Sequence, residues 1–271
     1  MAFMKHPAWQ RDWEQLLKKE RRYIARHQRP RQPLLGDSLA GKVPANLQAT
    51  LNKAFFKGFE LVFDKGTGVI EKTYQKARQQ DAHRVRRYAV SLRQDSRSIR
   101  AFARQARSAS RKNLLLSGAE GVGLGLLGVG LPDIPLFIGV LLKSVYEVAL
   151  SFGFAYESEA ERYFILRLIE TALYSGSRIE EQDAEINALI FRFSQSETEP
   201  IALKEQTRRT AEALSAELLL LKFVQGIPLL GVVGGASNMV FLRQVTDYAT
   251  LKYHRRFLLE QKADDGVYKT T

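Results

Sequence analysis

Apolar residues recur every three to four positions along most of the chain, which is the spacing of amphipathic helices. The first such stretch runs from Pro7 to about His27, and a second from about Ala45 to Phe63. The pattern from about Val69 to Lys112 is also helical. No convincing alternation of strand residues is present. The pattern therefore predicts an all-α fold.

Two capping boxes delimit helices further along the chain. In a capping box, a Ser or Thr at the helix start is followed three positions later by an acidic residue. Ser158 with Glu161 and Ser177 with Glu180 fit this rule, and they predict helices over about 159–175 and 178–194. Another helix is expected from near Pro200 towards Phe223.

The last helix is expected from about Ile227 to Gln261. These elements suggest three regions. Residues 1–35 form a basic amphipathic helix and a loop, residues 36–262 form a helical domain, and residues 263–271 form a flexible tail.

Two apolar segments rich in Gly and Pro stand out, GLGLLGVGLPDIPLFIGVLL at 123–142 and FVQGIPLLGVVGGASNMVFL at 223–242. Each is long enough to cross a bilayer. Asp133, however, lies near the centre of the first, and a mid-span carboxylate costs roughly 2.5–3.5 kcal/mol on insertion scales. We therefore expect a break, with Asp133 as the N-cap of a helix that ends near Ser151 and carries Pro135 in its first turn.

Gly226 and Pro228 predict a similar break in the second segment, and Gly231 and Gly235 then form a GxxxG face that allows close helix contact. The two segments are expected to pack together as the hydrophobic centre of a multi-helix bundle. Three interpretations of this centre remain open: a purely structural core, a membrane-inserting hairpin, and a pocket for an apolar ligand.

Charge is distributed unevenly along the chain. Residues 1–113 contain 26 Lys plus Arg against nine Asp plus Glu, whereas the remainder carries 15 against 20. Such asymmetry points to a polyanionic partner for the N-terminal half, either phospholipid or nucleic acid. The first residues lack the order of a secretory signal peptide, so a cytoplasmic location is expected.

Six arginines recur at alternating steps of four and three and so share one side of a predicted helix. They are Arg93, Arg97, Arg100, Arg104, Arg107 and Arg111. This stripe is interpreted as a solvated helix face, a docking surface for anionic lipid headgroups, or a nucleic-acid contact. Nucleic acid is the least favoured of the three, since no helix-turn-helix, zinc finger or aromatic RNA platform is evident.

No cofactor or metal site is predicted. Gly123, Gly125 and Gly128 match the spacing of a dinucleotide fingerprint, but no strand–helix–strand unit surrounds them. The chain has no cysteine and only four histidines, which show no metal-binding spacing. No catalytic constellation can be identified.

The two Gly/Pro-rich segments carry a family resemblance. The run GLPDIPLFIGVLLKSVYEVALSFGF, followed some 70 residues later by GIPLLGVVGGASNMVFLRQVTDYATLKYHRRFL, resembles the EcsC protein family over roughly residues 40–260. The matching positions are Pro132, Asp133, Pro135, Lys143, Glu147, Gly153, Pro228, Gly231, Gly235, Asn238 and Arg243. Phe152 departs from the family's usual Tyr.

The resemblance implies a link to membranes, because the family's namesake is encoded beside an ABC exporter in Gram-positive bacteria. The family has no established catalytic activity. The chain is therefore expected to be a non-enzymatic accessory protein, peripheral at the inner face of the cell membrane. Its expected partner is anionic lipid or a membrane protein such as an ABC transporter.

An internal polar network is expected within the Gly/Pro-rich centre. Its candidate members are Asp133, Lys143, Glu147, Asn238 and Arg243. The alternative function is a soluble hydrolase with Asp133 or Glu147 as general base, or a protein that binds an apolar ligand at this network. A general base needs burial or a charged neighbour to adjust its pKa.

Overall fold

The computed structural model describes residues 8–29, 45–63, 133–195, 201–224 and 234–267 of the chain. Within these ranges the secondary structure is helical and contains no strand, so the all-α prediction is confirmed. The helices are α1 (Ala8–His27), α2 (Ala45–Leu61), α3 (Asp133–Phe152), α4 (Glu159–Leu173), α5 (Ser177–Ser194), α6 (Leu203–Val224) and α7 (Gly234–Val267).

Helix α3 begins at Asp133, so the predicted helix start is correct to within one residue, although Asp133 is the first helical residue and not the N-cap. Pro135 lies in the first turn as predicted, where a missing N–H costs nothing. It ends at Phe152, and the following Gly153 has a φ of 90°, which is left-handed and therefore suits glycine. The amide of Gly153 donates to Leu150 O and that of Phe154 to Ala149 O, both at 3.0 Å. These two bonds form a Schellman cap, which satisfies carbonyls at the helix end.

The two predicted capping boxes had different outcomes. The Ser158 side chain accepts a hydrogen bond from Glu161 N at 3.2 Å, so the start of α4 is confirmed. The second box is wrong: Ser177 is already the first residue of α5, and Gly176 is the N-cap without a side-chain bond. Gly176 adopts φ 68° and ψ −147°, a region open essentially to glycine alone, while its amide donates to His27 O of α1 at 3.1 Å.

Helix α7, with 34 residues, is the longest of the described helices. It extends to Val267, beyond the expected end near Gln261 and into the segment predicted to be a frayed tail. It packs against α1, α3, α4 and α5. Because neighbouring helices cover α7 on several sides, every residue from Gln244 to His254 is buried except Asp247.

The centre of the bundle consists of α3, α4 and α7. Every residue of α4 from Phe164 to Leu173 is buried, because α4 lies between α5, α6 and α7. Helices α3 and α7 pack against each other, and the ring of Phe152 lies 5.6 Å from His254 and 6.1 Å from Phe257. These three residues lie outside the two Gly/Pro-rich segments, so the predicted contact between the segments themselves stays a prediction. The central position of α4 was not predicted, since nothing in its sequence is as apolar as those segments.

Buried carboxylates tie α4 to its neighbours. Arg256 of α7 donates to both oxygens of Glu161 at 2.8 and 2.9 Å, and the Tyr253 hydroxyl donates to the same group at 2.6 Å. Glu170 accepts from Gln206 at 2.6 Å and from Arg209 at 3.0 Å, both on α6. A buried carboxylate needs such partners, because desolvation without them is costly.

Several predicted features lie outside the described residues. Among them are the predicted helical stretch 69–112, the whole of the Gly-rich run 123–132, and Gly231 of the GxxxG face. Gly235 lies in the first turn of α7. None of the described helices combines the length and apolarity needed to cross a membrane.

Close packing of α2 on α3 depends on Gly58. A Cβ placed there would lie 2.5 Å from Ile138 Cδ1 and 3.3 Å from Ile134 Cγ2. We expect Gly58→Leu to lower the free energy of unfolding by about 1–3 kcal/mol, the usual cost of overpacking a core. Urea unfolding followed by circular dichroism measures this change. The control is Lys57→Leu at the adjacent exposed position, and equal stability of the two variants would contradict the prediction.

Candidate functional site

Helix α1 has two sharply different faces. Its outward positions are basic: Arg11, Lys18, Arg21, Arg22 and Arg26 are exposed, as is Arg29 just beyond the helix end, and Glu14 is the exposed acidic residue among them. We call these six cations the basic face. The opposite side packs on α7 through Trp9, Trp13, Leu16 and Tyr23. Helical spacing explains the separation, since positions 11, 18, 22 and 29 fall within a narrow arc.

A buried group of charged residues lies beneath α1. Lys252 of α7 is fully buried, with 0% of its side chain exposed. Its Nζ lies 3.0 Å from Glu20 Oε1 of α1, 2.7 Å from Asp183 Oδ1 of α5, and 2.9 Å from Asn187 Oδ1 of α5. One ammonium therefore joins three helices through its three N–H donors.

Arg255 completes this group, which we call the charge cluster: Glu20, Asp183, Lys252 and Arg255. Arg255 lies one turn beyond Lys252 on α7, and its Nε and Nη2 donate to the two Glu20 oxygens at 3.0 and 2.5 Å. This two-point contact is the strongest geometry available to an arginine and a carboxylate. The Arg255 guanidinium also lies 5.0 Å from the ring centre of Trp13.

The charge cluster is balanced, with two carboxylates against two cations. Burial acts to raise the pKa of Glu20, but the charges of Lys252 and Arg255 outweigh burial and hold that pKa below its usual range. Burial and the adjacent Asp183 carboxylate raise the pKa of Tyr248 well above its usual value. Tyr248 therefore remains a neutral donor to Asp183 Oδ1 at 2.8 Å.

A groove opens beside the charge cluster. It has a volume of about 650 Å³ and runs between α1 and α5, with Arg255 of α7 in its lining. Leu17, Ile24 and Ala184 contribute apolar surface to it. Gln28 closes one end by donating to Glu180 at 2.7 Å. Helix α1 is therefore held on α7 along its length and on α5 chiefly at its C-terminal end.

Only some members of the predicted internal polar network have side chains within the described part of the chain. Glu147 on α3 is buried, with 4% of its surface exposed, and Lys143 one turn earlier is half-buried. Asp133 is the first residue of α3 and Asn238 the fifth residue of α7, and the side chains at both positions are outside the described part of the chain. Arg243 is not internal: its side chain is 73% exposed and lies 3.7 Å from Asp247, because this position faces outward on α7.

The predicted docking stripe lies outside the described residues, and it stays a prediction. Its members are Arg93, Arg97, Arg100, Arg104, Arg107 and Arg111. The described ranges contain no grouping of three or more His, Asp or Glu residues arranged to hold a metal ion.

Sequence reasoning missed the charge cluster. A signal was present on α1, where Leu16, Glu20 and Tyr23 are spaced by four and three and therefore share the inward side. A second signal was Lys252, which follows Tyr248 by one turn on the buried side of α7. Neither signal identifies the partner, because the three helices lie far apart in the chain.

Removal of the Lys252 charge tests the structural role of the charge cluster. We expect Lys252→Met to lower the free energy of unfolding by about 3–5 kcal/mol, since breaking a buried ion pair leaves uncompensated carboxylates. The matched control is Arg243→Met on the same helix. Its exposed pair with Asp247 should be worth less than about 1 kcal/mol. Denaturant unfolding compares the two, and similar losses would contradict the assignment.

Acid sensitivity tests the contribution of Glu20. Because its pKa is lower in the folded chain than the unfolded value of about 4.3, its charge stabilises the fold above that pH. This contribution is lost as pH falls through the lower folded pKa. We therefore expect Glu20→Gln to be less stable than the parent at neutral pH, and the difference to shrink below about pH 4. Urea midpoints across pH 7 to 3 measure this, and a constant difference would refute it.

Comparison with known proteins gives a family. A sequence model of the EcsC protein family matches residues 10–258, from the first turn of α1 to Leu258 of α7. The chain is also similar to Protein EcsC of Bacillus subtilis (strain 168), with 26% identity over 155 residues. That alignment covers 54% of this chain and 59% of the relative, so the chain spans less than two thirds of the relative's length. No solved structure matches. Since the family match covers most of the chain, the chain belongs to the EcsC protein family.

Proposed function

We propose that this protein docks on an anionic phospholipid surface through the basic face of α1. The observation that carries the proposal is the separation of charge on this helix. Six cations face outward with Glu14 as the exposed acidic residue, while the opposite side is anchored on α7. A bundle that presents one such face can approach a membrane without inserting a helix.

The size of the attraction fits peripheral binding. Each basic residue near an anionic bilayer contributes on the order of 1 kcal/mol, and the attraction falls off within a Debye length of about 8 Å at physiological salt. Several cations on one rigid face therefore give an affinity that is useful and reversible. The binding should weaken steeply as ionic strength rises.

The wider charge distribution supports the same partner. The first 113 residues carry a net charge of +17, and α1 belongs to that part. The predicted arginine stripe at 93–111 would extend the cationic surface. In this proposal the protein is cytoplasmic, at the inner face of the membrane, and acts as a non-enzymatic accessory factor. An acidic surface of a membrane protein, such as an ABC transporter, is the alternative partner.

Neutralisation of the basic face tests the docking. The triple variant Lys18→Gln, Arg22→Gln, Arg26→Gln removes three cations from exposed positions of α1. We expect its affinity for vesicles of phosphatidylglycerol and phosphatidylcholine to fall on the order of 100-fold, at about 1 kcal/mol for each charge. Vesicle co-sedimentation at low and moderate salt measures the change.

The matched control removes three cations elsewhere. Lys53→Gln, Lys57→Gln, Lys204→Gln produces the same change in net charge at exposed positions of α2 and α6. It should retain most of the affinity. Equal losses in both triple variants would indicate attraction by net charge alone, and would exclude the basic face as the docking surface. A parent protein that ignores anionic vesicles at low salt would refute membrane docking altogether.

A further inference from the structure

Helix α1 has the composition of a helix that lies in a membrane interface. One side carries the basic face, and the other carries Trp9, Trp13, Leu16 and Tyr23 together with the buried carboxylates of Asp12 and Glu20. Helices with Lys and Arg on one side and Trp and Leu on the other lie in the plane of the interface with the apolar side towards the acyl chains. In this structure the apolar side of α1 is covered by α7 instead.

The core depends little on α1. The described part of the chain contains 40 buried apolar residues that form the core. Only two of them, Leu16 and Tyr23, belong to α1. Trp9, Trp13 and Ile24 are packed against the core but are only half-buried. Elements with few buried apolar contacts are those that open locally at low free-energy cost. The rest of the bundle has its own central helices in α3, α4 and α7.

Polar contacts supplement the apolar packing of α1 on α7. The Trp9 indole N–H donates to Leu258 O at 2.6 Å, and the Tyr23 hydroxyl donates to Gln244 O at 3.1 Å. Glu20 binds Lys252 and Arg255 in the charge cluster. Headgroups and water can replace each of these bonds, whereas they cannot replace close apolar packing. The groove of about 650 Å³ also leaves one flank of α1 without cover from α5.

Glu20 has a particular place among these bonds, since it is the carboxylate of α1 that binds Lys252 and Arg255 of α7. Removal of α1 leaves Lys252 and Arg255 with Asp183 as the remaining carboxylate of the charge cluster. Two cations against one anion form a site with excess positive charge. A lipid phosphate is an anion of suitable chemistry to take the position of the Glu20 carboxylate, because Arg and Lys bind phosphate and carboxylate alike.

We propose that α1 is a releasable strap, held on α7 by Glu20, which an anionic membrane detaches so that its tryptophan side enters the interface. This inference rests on the proposed docking function and adds a second step to it. The basic face first brings the bundle to the membrane. Lipid phosphate then competes with Glu20 for Lys252 and Arg255, and the apolar side of α1 exchanges its contact with α7 for contact with acyl chains.

The chain offers a direct probe of this step. It contains two tryptophans, Trp9 and Trp13, and both lie on the strap. Vesicles of phosphatidylglycerol with phosphatidylcholine brominated on its acyl chains should quench their fluorescence and shift the emission to the blue. Co-sedimentation in the same samples measures docking separately. Binding without quenching would overturn the strap and leave the docking function intact, whereas absence of binding would overturn both.

The contact of Glu20 with Lys252 and Arg255 holds α1 on α7. A variant that weakens this contact tests the proposal. We expect Glu20→Gln to populate the released strap about tenfold more at a given content of phosphatidylglycerol, since a charge-assisted contact is lost. The quenching is compared per bound protein, with binding taken from co-sedimentation, because loss of an acidic residue also strengthens docking. The matched control is Glu14→Gln, the same chemical change on the outward side of the same helix. An equal rise in quenching per bound protein in both variants would contradict the role of Glu20 in holding α1.

A covalent cross-link between α1 and α7 tests the release of α1 without the Glu20→Gln variant, which could fail to fold. The Lys262 ammonium lies 5.3 Å from the Trp9 ring centre, so cysteines at these two positions can be bridged by a short bismaleimide. The chain has no other cysteine, and Trp13 remains as the reporter. The bridged protein should lose the quenching of Trp13. The same double-cysteine protein blocked with N-ethylmaleimide should retain it, and equal quenching in both would refute the release of α1.

Discussion

The ammonium of Lys252 sets the arrangement of α1, α5 and α7. A cation with no exposed surface is tolerated only when anions and acceptors surround it, because transfer of an unpaired charge from water is prohibitively costly. Glu20, Asp183 and Asn187 meet that need from two other helices at 2.7–3.0 Å. A rotation of any of the three helices would separate the charges, so their mutual orientation is tightly specified.

The same principle recurs along α7 and α4 with different residues. Arg256 and Tyr253 satisfy Glu161 at the start of α4, and Gln206 and Arg209 satisfy Glu170 further along it. Apolar packing supplies most of the free energy that holds such a core together. The buried polar contacts instead determine which helix faces which, because an apolar surface has little directional preference.

Helix α1 contributes to the bundle through buried polar contacts as well as through apolar packing. It adds little to the apolar core but supplies one of the two carboxylates that neutralise Lys252 and Arg255. Its outward side presents the basic face. Membership of the EcsC family applies to the whole bundle, since the match runs from residue 10 to residue 258 and so includes α1. The basic face and the Glu20 carboxylate thus lie on opposite sides of one 20-residue helix.

Local chemistry in the sequence determined the helices and several of their ends. The three-to-four periodicity predicted α1 and α2 closely, the pair Ser158 and Glu161 predicted the start of α4, and Asp133 with Pro135 predicted the start of α3. Where the local rule failed, at Gly176, a contact from the distant His27 accompanies the cap. The charge cluster was beyond prediction for a related reason. Glu20, Asp183 and Lys252 are separated by many residues, and a carboxylate on an inward helical position does not reveal which cation faces it. Helical periodicity acts within a few residues and can be read along the chain, whereas the pairing of buried charges depends on helix packing, which only the tertiary structure decides.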